Sequence, residues 1–134
     1  MILCNAAKSG RVLTIRYSHR VEVEEMHLCL KTVRNLAKHL KPGFLLLTDL
    51  SNLKSMDASC ASEVGAIMEL CCSHGLAVLK RVIPDRSKDI GFNVISCFHL
   101  DPQINTQTYE NLAEAISSLL SEPLESVSKD VALV

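Results

Sequence analysis

Apolar residues near the start of the chain fall at every second position. In "RVLTIRY", Arg11 to Tyr17, the side chains of Leu13, Ile15 and Tyr17 share one face while Val12, Thr14 and Arg16 take the other. That alternation predicts a strand over 11–17, and residues 2–7 predict a second one. "KSG", Lys8 to Gly10, supplies the hairpin turn between them. The period then changes. Met26, Cys29, Leu30, Val33, Leu36, Ala37 and Leu40 recur at steps of three and four, which predicts a helix over 23–40 ended by "KPG", Lys41 to Gly43. Phe44 to Thr48 is a continuous apolar run between turn signals, the pattern of a central strand covered on both faces.

The same alternation of periods continues. Ala61, Val64, Ile67, Met68 and Cys71 trace a second helix closed by "SHG", Ser73 to Gly75. Residues 76–82, "LAVLKRV", predict a strand that Pro84 stops. A third helix is expected near 86–98, where Ile90, Val94, Cys97 and Phe98 share a side. After Pro102 come a weak strand at 103–107 and a last helix at about 108–121, carried by Tyr109, Leu112, Ile116 and Leu119. Strands alternating with helices predict a single α/β domain over 1–121. Its mixed sheet has four or five strands, opens with an antiparallel hairpin and is covered by about four helices. Residues 122–134 form a polar tail expected to be loosely attached.

Composition narrows the functional classes. The chain has 134 residues, enough for one self-sufficient core. Its net charge of -1 gives no field for general nucleic-acid or membrane-surface binding. Runs such as "GFLLL" are too short to cross a bilayer. "MILCNAAKSGRVL" lacks a basic region followed by a sustained apolar one, so no secretion signal is expected. Six cysteines, Cys4, Cys29, Cys60, Cys71, Cys72 and Cys97, form no C-x-x-C pair. In a reducing compartment they act as small apolar residues, so a cytoplasmic location is expected.

The chemistry concentrates in "LTDLSNLKSMDASC", Leu47 to Cys60. An apolar strand passes through a polar turn into the start of the second helix. Asp57 is placed to cap that helix, its charge facing the positive end. Ser59 falls in the first turn, where free N–H groups favour anions and would tolerate a phosphate.

"DLSNLKSMDASC" resembles the signature of STAS domains, the fold of sulfate-transporter tails and bacterial anti-sigma-factor antagonists. Asp49, Leu50, Ser51, Leu53, Met56, Asp57 and Ser59 fit that signature, and the order of elements from about residue 2 to 121 follows the family's. The resemblance implies a non-catalytic regulatory module that docks through Asp49, Ser51, Met56, Asp57, Ala58, Ser59 and Cys60. It implies a bacterial-type partner: an anti-sigma factor with serine-kinase character, or another component of a sensory complex.

Two departures stand out. In the family's antagonists, the first Ser after Met-Asp is phosphorylated by the partner kinase; here that position is Ala58. The Gly that usually follows the second Ser is Cys60. Ser59 is then the remaining phosphoacceptor candidate. It is rotated by about 100 degrees from the usual direction at 3.6 residues per turn, so the usual switch is expected to be absent.

Other candidates have plainer readings. Arg81, Arg86 and Lys88 in "KRVIPDRSKDIGFN" offer a rim to an acidic partner, or a solvated turn and cap. His99 beside Cys97 lacks the second close pair that a metal site needs, so neither metal nor cofactor is expected. Cys60 at a helix start would have a lowered pKa, the basis of a thiol sensor with Cys71 or Cys72 as its resolving partner. Against it, Cys60 and Cys71 lie about 16 Å apart along one helix at 1.5 Å per residue. Asp49 and Asp57 are the one carboxylate pair to consider for acid–base work, with no feature placing a substrate between them, and the chain carries no glycine-rich phosphate loop or Gly-x-Ser-x-Gly elbow. The alternative to docking is a nucleotide- or lipid-binding domain, for which 4% aromatic residues provide few rings. Homodimerisation through a helix face or the hairpin edge stays open.

Overall fold

Five strands lie side by side in chain order in one mixed sheet. They are β1 (Ile2–Ala6), β2 (Val12–Val21), β3 (Leu45–Met56), β4 (Val78–Val82) and β5 (Asn105–Tyr109). This computed structural model describes residues 1–83 and 104–120. The helix expected at 86–98 and the tail 122–134 lie outside the described residues. β1 runs antiparallel to β2, and every later pairing is parallel.

Among the described residues two helices bridge parallel strands: α1 (Val23–Ala37) between β2 and β3, and α2 (Ala61–Ser73) between β3 and β4. Both connections step in the same direction along the sheet. Right-handed crossovers taken in one direction put both helices on one face. α1 starts with Glu22 donating its N–H to the Glu25 carboxylate, and Glu24 and Glu25 complement the helix dipole. Its stripe of Met26, Cys29, Val33 and Ala37 is buried. With Val64, Ile67, Met68 and Cys71 of α2, these residues pack on Leu13, Ile15, Tyr17, Leu46 and Leu79 of the sheet. Each fully buried Leu or Ile stabilises by roughly 1.5–3 kcal/mol. α3 (Leu112–Leu120) covers the opposite face, where Leu119 and Ala115 meet Val12, Leu45, Leu47 and Val82. The two faces of β2 are therefore divided between Leu13, Ile15, Tyr17 and Val12, Thr14, Arg16, as the alternation predicts.

Several boundaries differ from the sequence expectation. α1 ends at Ala37 rather than residue 40, and β2 continues four residues past Tyr17. β5 occupies Asn105–Tyr109, so Tyr109 belongs to a strand and the last helix starts at Leu112 rather than 108. Its partner strand decides this: β5 pairs with β4 from Val78↔Asn105 to Val82↔Tyr109, and the ladder overrides the helical spacing.

The β1–β2 turn depends on Gly10, whose N–H donates to the Ala7 carbonyl (2.9 Å) and whose carbonyl accepts from Lys41 (2.8 Å). Gly10 has φ +74, and a Cβ there would lie 2.4 Å from the His39 carbonyl oxygen. Gly10→Ala is expected to destabilise the protein by about 1–3 kcal/mol from the backbone conformation alone, with the overlap adding to that. Urea unfolding of the variant against the parent measures it.

Candidate functional site

β3 is longer than its neighbour. Over the paired span β2 has 10 residues and β3 has 12. Pairing is regular from Val12↔Leu45 to Arg16↔Asp49, then shifts between Arg16 and Ser18 and again between His19 and Arg20, ending at Val21↔Met56. Each shift is a bulge that places two β3 residues against one of β2. Opposite the second bulge His19 takes φ 59, in the left-handed region that few non-glycine residues adopt. The bulges change the burial period. Leu50, Leu53 and Met56, three apart, are all buried, while Asn52, Lys54 and Ser55 are exposed. The segment expected to be a polar turn is thus the second half of a strand.

Asp49, expected at a strand end, is instead an interior strand residue and is 2% exposed. Its Oδ2 accepts from Arg16 Nε at 3.1 Å, and its Oδ1 accepts from the Ser51 N–H at 2.9 Å and from the Ser51 hydroxyl. The carboxylate is therefore bound within the fold by two neighbours. Arg16 remains 40% exposed and connects this buried charge to water.

Beyond Met56 the chain turns. Asp57 caps a 3-10 turn, Ala58–Cys60, rather than α2 directly, with its Oδ1 accepting from the Ser59 N–H at 3.0 Å. The Ser59 amide, then its hydroxyl, hold the Asp57 carboxyl below the usual carboxylate range. Asp57, Ala58 and Ser59 are exposed; Met56 and Cys60 on either side are buried and Ser51 is half-buried. Of the seven residues expected to form a docking patch, three present their side chains fully to solvent.

Cys60 does not have the environment expected of a sensor thiol. Burial pushes it up, and the nearby Asp57 and Glu63 charges act in the same direction. Cys71 is likewise pushed up, to about 12, first by burial. Arg81 is no rim residue either: it is 5% exposed and its Nη2 donates to Thr108 Oγ1 across the β4–β5 pair at 2.8 Å. Arg86, Lys88, Cys97 and His99 lie outside the described residues. Among the described residues no cluster of three His, Cys, Asp or Glu side chains gathers.

Sequence reading missed Lys80. It is fully buried, and its ammonium donates to Gln107 Oε1 (2.6 Å), to Tyr109 OH (3.2 Å) and to the Ser118 hydroxyl. The Tyr109 hydroxyl also bonds Gln107 and Ser118. A lysine within the run "LAVLKRV" is the available signal, since a central strand has no solvent-facing side. Near this face, Val12, Leu47, Leu112, Ile116 and Leu119 line a cavity of about 130 Å³ with Thr14 and Arg16 at its polar end. Ligand pockets usually hold about 300–1,000 Å³, so this space is too small for a nucleotide.

No protein-family model matches the chain, and no curated protein matches it significantly. Solved structures do. The unphosphorylated form of the anti-sigma factor antagonist SpoIIAA superposes with a TM-score of 0.59 at 13% identity, covering 91% of this chain and 100% of that one. An uncharacterised protein from Shewanella loihica with a SpoIIAA-like fold gives 0.57 at 15% identity, covering 89% and 92%. The phosphorylated form of the Bacillus cell-fate determinant SpoIIAA gives 0.54 at 12%, covering 88% and 98%. The chain has a STAS-type, SpoIIAA-like fold. Within that fold the segment Asp49–Ser59 runs along a bulged central strand and out into an exposed turn.

Two outcomes are expected from this geometry. Arg16→Met should leave Asp49 buried with Ser51 donors alone and cost about 1–3 kcal/mol, discounted for the exposure of Arg16. Double-mutant cycles with Asp49→Asn measure the coupling. Because the Asp57 pKa is depressed by folding, its contribution is present above its unfolded value of about 4 and disappears as pH falls through the folded value. The melting-temperature difference between Asp57→Asn and the parent should therefore be seen at pH 6 and vanish in acid.

Proposed function

We propose that the protein is a non-catalytic regulatory module that binds a partner protein through the exposed turn Asp57–Ala58–Ser59 and the adjoining start of α2. The supporting observation is the division of the signature segment. Asp49, Met56 and Cys60 are turned inward and fix the turn, while Asp57, Ala58 and Ser59 are left open at the surface. The partner is a cytoplasmic regulatory protein of the anti-sigma-factor or serine-kinase type, or another component of a sensory complex. The STAS-type fold supports this class, as does the existence of phosphorylated and unphosphorylated forms of SpoIIAA.

Ala58 occupies the position at which the resemblance places the phosphoacceptor, so this surface holds a permanently uncharged state there. Ser59 is a poor substitute. Its amide is already engaged by Asp57, and a phosphate would set up to two negative charges beside that carboxylate. The module then binds constitutively, and its regulation lies with the partner.

Ala58→Asp and Ser59→Asp should each weaken partner binding at least tenfold, because a charge would be buried unpaired at the interface. Affinity capture from the native host with both variants as controls, followed by titration of the captured regulator, measures this. Equal affinity for parent and both variants would remove this face. Stoichiometric phosphate on Ser59 after incubation with the host's serine kinases would overturn the constitutive reading.

A further inference from the structure

The sulfur atoms of Cys4 and Cys29 lie 3.2 Å apart, one on the edge strand β1 and the other on α1, 25 positions along the chain. A disulfide has an S–S length of about 2.05 Å, so closure requires a movement of about 1 Å. Both residues line an open groove of about 350 Å³ between β1 and α1, bordered by Glu25, Leu28 and Thr32. Cys4 is half-buried, within reach of a small solute from that groove, and Cys29 lies behind it at 4% exposure. Among the described cysteines this is the pair whose sulfurs touch. Cys60 and Cys71 are buried in the same core, Cys71 near enough to feel the charge of Cys4, and neither sulfur touches another among the described residues.

The two thiols differ. The hydrogen bond shared by the two sulfurs holds the Cys4 thiol below its ordinary value against the opposing effect of burial. Cys29 is pushed up by the same bond and by burial. That asymmetry marks Cys4 as the attacking sulfur and Cys29 as the resolving one.

We propose that Cys4 and Cys29 are a peroxide-responsive dithiol that closes reversibly into a disulfide. The Cys4 thiolate attacks the outer oxygen of a hydroperoxide and the O–O bond breaks. Cys4 becomes a sulfenic acid, and the alkoxide or hydroxide released takes up a proton. The Cys29 sulfur then attacks the Cys4 sulfur and expels hydroxide, which leaves as water with the Cys29 proton. Two thiols lose two electrons in total and the peroxide gains them; a dithiol reductant reverses the step. The bond fastens β1 to α1, the helix that also packs on α2 and on the Ala58–Cys60 turn.

The test treats the full chain with stoichiometric hydrogen peroxide, alkylates free thiols and digests with trypsin. Cys4 is carried by residues 1–8 and Cys29 by residues 21–31, so a link between these two peptides is diagnostic. The expected result is that link at high occupancy, lost on adding dithiothreitol and absent in Cys4→Ser, Cys4→Ala and Cys29→Ala. The oxidised parent should also melt about 10 °C higher. Two free, alkylatable thiols after treatment would overturn the proposal. So would a sulfinic acid on Cys4 without a link, or a link between other cysteines. Because Cys4 is half-buried, Cys4→Ser keeps the test valid should Cys29→Ala fail to fold.

Discussion

The parallel pairing of β2 with β3 is the constraint on which the rest depends. These two strands occupy the middle of the helix-covered face and carry the largest share of the apolar side chains beneath α1 and α2. Their ladder is regular only as far as Arg16 and Asp49. From there the additional residues of β3 twist the strand and deliver its end to the turn at Ala58–Cys60. Position and exposure of that turn follow from the count of residues in a strand, rather than from any loop. The Asp57 N–H extends the ladder by one bond to the Val21 carbonyl, and this ties the turn to the sheet.

Polar groups inside the fold are arranged around the same framework. Asp49 and Arg16 are a cross-strand pair at the last regular position before the first bulge, with Ser51 completing the shell of the carboxylate. Lys80 plays a comparable part on the same face of β4, where Gln107, Tyr109 and Ser118 seat α3 against the sheet. Buried polar networks of this kind weigh more on which arrangement is adopted than on how stable it is. The bonds of Lys80 and Tyr109 to the Ser118 hydroxyl add a directional contact to the apolar packing of α3.

Element order and the two faces of β2 were legible because alternation and helical spacing report burial directly. So was the cap, since Asp57 caps a turn at the junction its sequence suggests. The continuation of β3 through Leu50, Leu53 and Met56 was not legible. Bulges shift the buried period from two to three, and a spacing of three between polar residues reads as a turn. Tyr109 reads as helical for a related reason: its strand partner Val82 lies 27 residues earlier, out of range of local periodicity. The environment of Cys60 was not legible because its burial and the Asp57 and Glu63 charges, which outweigh the helix start, come from the folded surroundings. Among the described residues the sulfur contact joins Cys4 to Cys29, which no local spacing connects.

The bulged half of β3 also separates inheritance of position from inheritance of pattern. Removing one residue between Leu50 and Ser55 while both bulges persist would slip the later pairing by one and turn every later side chain to the opposite side of the ribbon. Met56 would surface and Asp57 would be driven inward. Such a segment tolerates exchanges of residue type far better than changes of length, so the spacing from Asp49 to Asp57 is a ruler set by backbone geometry.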